Sequence, residues 1–511
     1  MAIFCFAVVI GKGLLLLRGC DRVGMVFNLK IIRMNLLPVI DYVSKQMKET
    51  SGILRSKTRN SLGKVYPTRT IFIKIQQYVL QHLSISKIGD VRWVVVPGLR
   101  GVGKSTLLAQ VYNQIIKSHD VEFIYFSLDE VVNSLGSNLH EVLNAYEKVA
   151  DISLATHRKK IFLFLDEVHY DENWASVVKV LFDKNPNIFI FATGSSAVAL
   201  QRNADEQRRL KVEPLYPMSF AEYMVVKHGV WPIKDLKKRV TEAIFFQDNA
   251  SDIYARLKGV EGLVEQYWGK VPSNALSDYM FVGSIPFATV YEDKTQAFDA
   301  IYQTVRAIVE VDLPQLGNFK KTTAPYILQI LSVLAISSGI STNKLASNLN
   351  IRHETVSDIL VALVKAELVV EVQPYGSVKN KAKKPKKYLF MSPAIRASIL
   401  FAVGGEDLIE KHKGELLEDV VGMYLYREMT AKHRGIISYY EKGHDLHVDF
   451  VVSVGGKDIP LEVGMGKKDT KQLWGIMDRL NSPYGLICHS RGLEIYDERV
   501  VKVPHDFFLL V

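Results

Sequence analysis

Cysteine is scarce: Cys5, Cys20 and Cys488 are the only three among 511 residues. Thiols so few and so scattered supply neither a disulfide framework nor a four-ligand zinc site, and a reducing, cytoplasmic setting follows as the default. Long unbroken apolar runs are also missing. The greasiest stretch, MAIFCFAVVIGKGLLLL, is interrupted by Lys12, has no basic residue ahead of it and meets Arg18 too soon for a comfortable membrane span. A signal or anchor is the lesser expectation. The simpler one is an over-extended reading frame with its biological start at Met25 or Met34, and no membrane partner is expected. Residues 1–65 are read as a lead-in to the first domain.

The chain is 48% apolar and 23% charged, a composition neither disordered nor fibrous, and its length accommodates about three cores. A formal net charge of +10 suggests an anionic partner, although basicity also serves solubility.

Residues 98–105 read GLRGVGKS, a complete GxxxxGK[ST] loop. Gly98, Gly101 and Gly103 let the backbone wrap a phosphate with its N–H groups exposed, with Arg100 and Val102 between them, and the helix that follows adds its positive dipole end. Lys104 is placed to reach β and γ phosphates, and the Ser105 hydroxyl to bind magnesium; Thr106 is a neighbour with less claim. Trp93 to Val96 ahead of the loop suits a buried parallel strand, and TLLAQVYNQII after it has helical spacing. Context therefore predicts a nucleoside triphosphate site with magnesium.

A second apolar strand, Ile161 to Leu165, ends in Asp166 and Glu167, at the strand end where ligands collect in α/β sheets. Asp166 is expected to hold magnesium through water, and Glu167 to polarise the attacking water. A third strand, Ile188 to Thr193, ends in TGSS, where Thr193 or Ser195 could sense the γ phosphate. Tyr66 and Phe72 could pack on the base, with core packing the more ordinary role.

GLRGVGKSTLL, FLDEVHY, FATGSS, RRLKVEPLYPMSFAEYM, IVEVDLPQL, VDFVVS and IPLEV together resemble a family of prokaryotic AAA-type P-loop ATPases. In that family a helical region, a winged helix and a PD-(D/E)xK nuclease-like tail of unknown function follow the ATPase core. The resemblance runs from about Tyr66 to the last residue. It implies the fold class: α/β, a P-loop parallel sheet core (66–213) with a helical lid (214–322), a winged helix (323–392) and an α/β nuclease-like C-terminal domain (393–511). It also implies a phosphate-reaching arginine just before PLYPMSFAEY, where Arg208 and Arg209 stand, Arg209 being preferred. VGSIPFA takes the place of a glycine-glycine-aromatic-proline turn, with Ser284 and Ile285 departing from the pattern.

The residues themselves punctuate a winged helix. PYILQILSVLAI, then TNKLASNL capped by Ser341, then HETVSDILVALVKAEL form three helices, with Val356, Leu360, Leu363 and Val364 facing inward and His353, Ser357 and Asp358 outward. LVVEV and YLF read as wing strands. Between them KNKAKKPKK, residues 379–387, has lysine at six positions, Lys379 to Lys387; removing the six lowers the net charge from +10 to +4. Such a module grips DNA with helix three in the major groove and the wing on phosphate.

In the tail, the resemblance implies Glu418, Asp449 and Glu462 as possible magnesium ligands of a nuclease remnant. The family's lysine, two places after the glutamate, is here Gly464, with Lys467 and Lys468 nearby. Without a cation nothing steadies the developing charge, so a retained, non-cleaving fold is expected. The leading functional expectation is an ATPase coupling nucleotide state to DNA binding, with ATP and magnesium bound and a homo-oligomer left open. The alternatives are an ATP-regulated endonuclease and a nucleotide-locked signalling scaffold. An origin-recognition ATPase shares the AAA and winged-helix pairing, but the PLYPMSFAEY block and the tail speak against it.

Overall fold

A computed structural model describes residues 8–10, 13–15, 21–84, 91–195, 208–316, 323–337, 341–377, 381, 384–442, 446–464, 470–490 and 492–511. Five parallel strands form the P-loop sheet: β1 Trp93–Pro97, β2 Glu122–Ser127, β3 Ile161–Asp166, β4 Ile188–Gly194 and β5 Lys211–Val212, in the order β2-β3-β4-β1-β5. Every residue of β1, β3 and β4 is buried, as parallel strands covered on both faces must be. Alternate side chains serve opposite cores. Val94, Val96, Phe162 and Phe164 pack against α2 (Ile71–Leu83) and α3 (Lys104–Gln114), whereas Trp93, Val95, Ile161 and Leu163 pack against α4 (Leu139–Ala150) and the Val39–Val43 part of α1 (Asp21–Ser56). Strand β2 is absent from the sequence expectations, because its EFIYFS begins and ends polar and gives only a short apolar run.

The expected lid is helical, including α5 (Leu236–Phe245), α6 (Ala250–Trp268) and α7 (Lys294–Ala307). Three helices then follow where the spacing placed them: α8 Ala324–Ile336, α9 Thr342–Leu349, whose first turn Ser341 caps by accepting from Lys344 N at 3.2 Å, and α10 His353–Lys365. Val356, Leu360 and Leu363 are buried, Val364 half-buried, and His353, Ser357 and Asp358 exposed.

The hairpin β6 (Val369–Pro374) and β7 (Lys387–Phe390) does not stand apart as a free wing. It is the edge of an eight-stranded sheet that runs on through β8 (Gly435–Lys442), β9 (Leu446–Val454), β10 (Lys457–Val463), β11 (Gly485–His489), β12 (Glu494–Tyr496) and β13 (Val500–Pro504), in the order β12-β13-β11-β10-β9-β8-β6-β7. Ser438 and Tyr439 pair with Gln373 and Pro374 across the join. A buried ion pair ties the same regions together: Arg396, fully buried on α11 (Pro393–Lys411), binds Asp419 on α12 (Lys413–Leu425) at 2.6 Å. Its other nitrogen donates to the carbonyls of Leu334 and Ala335, at the open end of α8. Among the described residues no helix is long and apolar enough to cross a membrane.

Candidate nucleotide site and C-terminal carboxylate cluster

The P-loop turns from β1 into α3 through left-handed glycines, Gly101 at φ 86° and Gly103 at φ 96°. Two of its glycines are also forced by space. A Cβ on Gly98 would stand 2.3 Å from the Leu215 carbonyl, and one on Gly101 2.5 Å from the Phe287 ring. Phe287 belongs to the VGSIPFA turn, so that turn presses directly on the phosphate loop.

Lys104, only 5% exposed, donates from Nζ to the carbonyls of Gly98 and Leu99 at 3.1 Å and lies 3.8 Å from Glu167 Oε1. Asp166, at the end of β3, collects four partners. Ser105 Oγ (3.1 Å) and Thr193 Oγ1 reach its Oδ1, while Lys57 Nζ (3.1 Å) and Tyr125 OH (3.5 Å) reach its Oδ2. Glu167 sits in the left-handed region at φ 53°, a conformation costing about 1 kcal/mol for a residue with a side chain and concentrated at functional positions. His169 Nδ1 lies 3.3 Å from Glu167 Oε2, and burial lowers its imidazole to about 4, so it faces Glu167 uncharged at neutral pH.

The expected ligands Gly98, Gly101, Val102, Gly103, Lys104, Ser105, Thr106, Asp166, Glu167 and Thr193 thus gather at the carboxyl ends of the strands. A cavity of about 290 Å³ beside the loop is walled by Tyr66, Pro67, Leu215, Met218, Val226 and Phe287, an apolar lining suited to a base. Tyr66 is therefore at the pocket, whereas Phe72 lies in the core, 5% exposed.

Two expectations change. Arg100 points off the loop: its guanidinium binds Asp312 at 2.9 Å and the Tyr170 hydroxyl at 3.3 Å. Arg209 precedes β5, which runs parallel to β1, so it stands at the amino-terminal edge of the sheet, opposite the P-loop, and pairs there with Asp183 at 2.8 Å. The topology rules out a role for Arg209 on this chain's own phosphates. Ser195 contributes its backbone N–H to His169 Nδ1 at 3.3 Å.

The PLYPMSFAEY block is a brace. Ser219 and Glu222 form a capping box, and Glu222 also binds Arg69 at 2.7 Å, while Arg69 donates to the Val102 carbonyl of the loop at 3.0 Å. Burial would raise the Glu222 carboxyl, but Arg69 holds it down to about 2.

In the C-terminal sheet, Asp449 on β9 and Glu462 on β10 come together with His447, which the sequence reading did not name, while Glu418 on α12 pairs with Lys387. Asp449 Oδ2 accepts from Val463 N at 2.8 Å, and ligand atoms of His447, Asp449 and Glu462 lie within 4.8 Å of one another. Gly464 offers no side chain, and Lys467 and Lys468 lie outside the described residues. A lysine is nonetheless present. Lys387, expected on the wing loop, turns inward from β7, contacts Glu418 Oε1 and stands 3.7 Å from Asp449 Oδ1. Lys386 pairs with Glu371 at 2.9 Å and Lys384 with the Glu441 carbonyl; Lys379 and Lys383 are outside the described residues.

A family model described as an AAA domain matches residues 90–224, the segment holding all five parallel strands and both nucleotide motifs. Residues 273–403 match a domain of unknown function, DUF8612. The protein described as uncharacterized protein MJ1637 of Methanocaldococcus jannaschii is 32% identical over 428 residues, 82% of this chain and 84% of its own length. The chain belongs to that family of AAA-domain proteins. A second protein of that organism, MJ1544, is 24% identical over 407 residues, covering 76% of this chain and 80% of its own. Among solved structures, the Aeropyrum pernix ORC1 protein in complex with DNA aligns with TM-score 0.29 and 12% identity over 68% of this chain and 94% of that one. AMPPCP-bound DnaA from Aquifex aeolicus aligns with TM-score 0.24 and 14% identity over 57% and 87%.

Several residues of this AAA protein's site escape the motif patterns: Lys57, Arg69, Phe287, Asp312 and Lys387. Asp312 sits inside the family-specific IVEVDLPQL and Phe287 inside VGSIPFA, so the sequence marked both segments without giving them a task. Lys57 carries no such signal, and Lys387 carries only that of the lysine run 379–387. Each reaches its carboxylates from a distant part of the chain.

Proposed function

We propose that this protein hydrolyses ATP with magnesium and couples its nucleotide state to DNA binding in the cytoplasm. The observation that carries the reading is the convergence on Asp166 of Ser105, Thr193 and Lys57, with Glu167 beside them and within 3.8 Å of Lys104. Hydroxyl and carboxylate oxygens in this arrangement fit magnesium, a hard cation that, once bound, neutralises charge on the β and γ phosphates. The protein's own groups do the rest. Lys104 binds phosphate oxygens, the loop N–H groups cradle them, Glu167 orients the attacking water, and Thr193 ties the Glu167 turn to Asp166, its hydroxyl accepting from Glu167 N at 3.3 Å.

Helices α8 to α10 with the β6–β7 hairpin form the DNA-gripping winged helix in this reading. The exposed His353, Ser357 and Asp358 take base edges, and the loop lysines ahead of Lys387 take phosphate. In a homo-oligomer Arg209 would exchange its Asp183 partner for a neighbouring copy's nucleotide.

The test is ATP turnover with and without duplex DNA. Lys104→Ala abolishes nucleotide binding, and Glu167→Gln keeps binding but stops hydrolysis. Negligible turnover with tight nucleotide retention in the wild type would favour a signalling scaffold instead.

A further inference from the structure

A buried carboxylate is held by a cation or a metal, because its charge is too costly to leave alone away from water. Asp166 receives neutral hydroxyls from Ser105, Thr193 and Tyr125, and among the described residues Lys57 is the one ammonium paired with it, 3.1 Å from Oδ2. Lys57 directly follows α1 and lies outside the segment 90–224 that matches the AAA domain. Its backbone is fixed: Lys57 N donates to the Ile53 carbonyl at 3.2 Å, the buried Thr58 hydroxyl donates to the Arg55 carbonyl at 2.8 Å, and Asn113 of α3 donates to the Leu54 carbonyl at 3.0 Å. The side chain is free to leave. It is 32% exposed against 2% for Asp166, and its ammonium stands 5.7 Å from the centre of the Tyr125 ring. A flexible, strongly hydrated point charge at the rim of the site can turn into water without disturbing the helix behind it.

Ser105 and Asp166 are the residues that would hold magnesium, and an ammonium already bound to Asp166 repels a second cation strongly in so buried a place. We propose that Lys57 is the counter-ion that gives way to magnesium: it neutralises Asp166 while nucleotide is bound without metal, and turns into solvent when the ion is taken up. Lys57 in this role presupposes the nucleotide site proposed above and decides how its metal is admitted. The magnesium requirement is then set by a residue outside the matched ATPase domain. Opposite signs follow. Without metal, Lys57 offsets the repulsion between Asp166 and the phosphates, so its removal weakens nucleotide binding. With metal, its removal spares the displacement of a bound ammonium and strengthens binding. A lysine that only props the fold, or that holds phosphate in both states, would weaken binding in both.

The full chain is titrated with a fluorescent, non-hydrolysable ATP analogue, once in EDTA and once in saturating magnesium, so that turnover does not enter the measurement. Lys57→Met should lose affinity in EDTA and gain it in magnesium, widening the ratio of the two dissociation constants about tenfold, the range expected for a hydrogen bond to a charged group. Lys57→Arg keeps the charge and should follow the wild type. If Lys57→Met fails to fold, judged by thermal unfolding, Lys57→Gln takes its place in the same comparison. Equal losses in the two conditions, or a ratio matching that of the wild type, overturn the proposal while leaving the nucleotide site standing. A wild type that binds no analogue in either condition defeats both.

Discussion

Arg100, in the middle of the phosphate loop, donates to Asp312 at 2.9 Å across 212 residues of sequence. Asp312 is 6% exposed and the pair is shared with the Tyr170 hydroxyl, so loop, β3 turn and helical region meet at one guanidinium. Burial opposes the charge on Arg100, yet Asp312 more than offsets it and raises the proton affinity. The pair joins the phosphate loop directly to the residue preceding the short helix Leu313–Leu316, and it is the contact to test for a link between the two. Asp312→Asn keeps the shape but weakens the charged pair; it is expected to lower DNA-stimulated ATP turnover several-fold while leaving nucleotide affinity within about threefold, a change of about 0.6 kcal/mol. Parallel turnover assays and nucleotide titrations separate the two, and equal losses in both would contradict a coupling role.

The contact between Gly101 and Phe287 gives a second expectation. Gly101→Ala meets both a φ of 86° and a ring carbon 2.5 Å from the new methyl, so relief requires the loop or the VGSIPFA turn to move. Nucleotide affinity should fall at least tenfold, about 1.4 kcal/mol. Gly101→Ala combined with Phe287→Ala removes the steric conflict but not the backbone strain. The double variant should recover part of the loss, measured by calorimetric titration of Mg-ATP. No recovery would assign the whole effect to the backbone.

Burial lowers His169 from 6.5 to about 4, and the sign of its pH effect follows. Between those values the unfolded chain binds a proton that the folded chain refuses. The stabilisation is full above pH 6.5, declines as pH falls through this window and changes no further below about 4. A shift of this size corresponds to about 3 kcal/mol. His505, also lowered to about 4 by burial, contributes in the same direction. Urea unfolding at pH 7.5 and pH 5 should show the decline, and His169→Asn should make it smaller; an identical decline in the variant would remove His169 as its source.

The phosphate loop and the acidic pair were legible because phosphate chemistry leaves local marks: GLRGVGKS and FLDE each sit on a strand end and the sheet brings them together, whereas Lys57, Arg69 and Asp312 reach the site from distant parts of the chain and left no such mark. Helices α8 to α10 were legible for a similar reason, since Ser341 and the Val356–Leu360–Leu363 spacing are local signals. Whether Arg209 serves its own nucleotide or a neighbour's was not legible, because adjacency to a motif says nothing about which edge of a sheet a residue occupies; the parallel pairing of Val94 with Lys211 sets it at the edge away from this chain's own P-loop. The same limit concealed Lys387. Its neighbours in sequence are loop lysines, whereas its neighbours in space are Glu418 and Asp449, an environment created by the pairing of Ser438 with Gln373 that draws the hairpin into the C-terminal sheet.

That division of the lysine segment changes what a charge-removal experiment should show. Replacing Lys379, Lys381, Lys383, Lys384 and Lys386 with glutamine leaves Lys387 and the carboxylate cluster intact and removes five positive charges from the segment proposed to hold phosphate. DNA affinity should fall, and the slope of log affinity against log salt should shrink by about 0.9 for each phosphate no longer neutralised. Lys387→Gln alone should leave that slope unchanged, because an ammonium turned toward Glu418 releases no counterions from the duplex surface. Titrations from low to moderate salt on both variants distinguish the two roles: an unchanged curve for the five-lysine variant ends the loop's part in DNA binding, and a slope altered by Lys387→Gln places that residue on the duplex backbone instead of in the cluster.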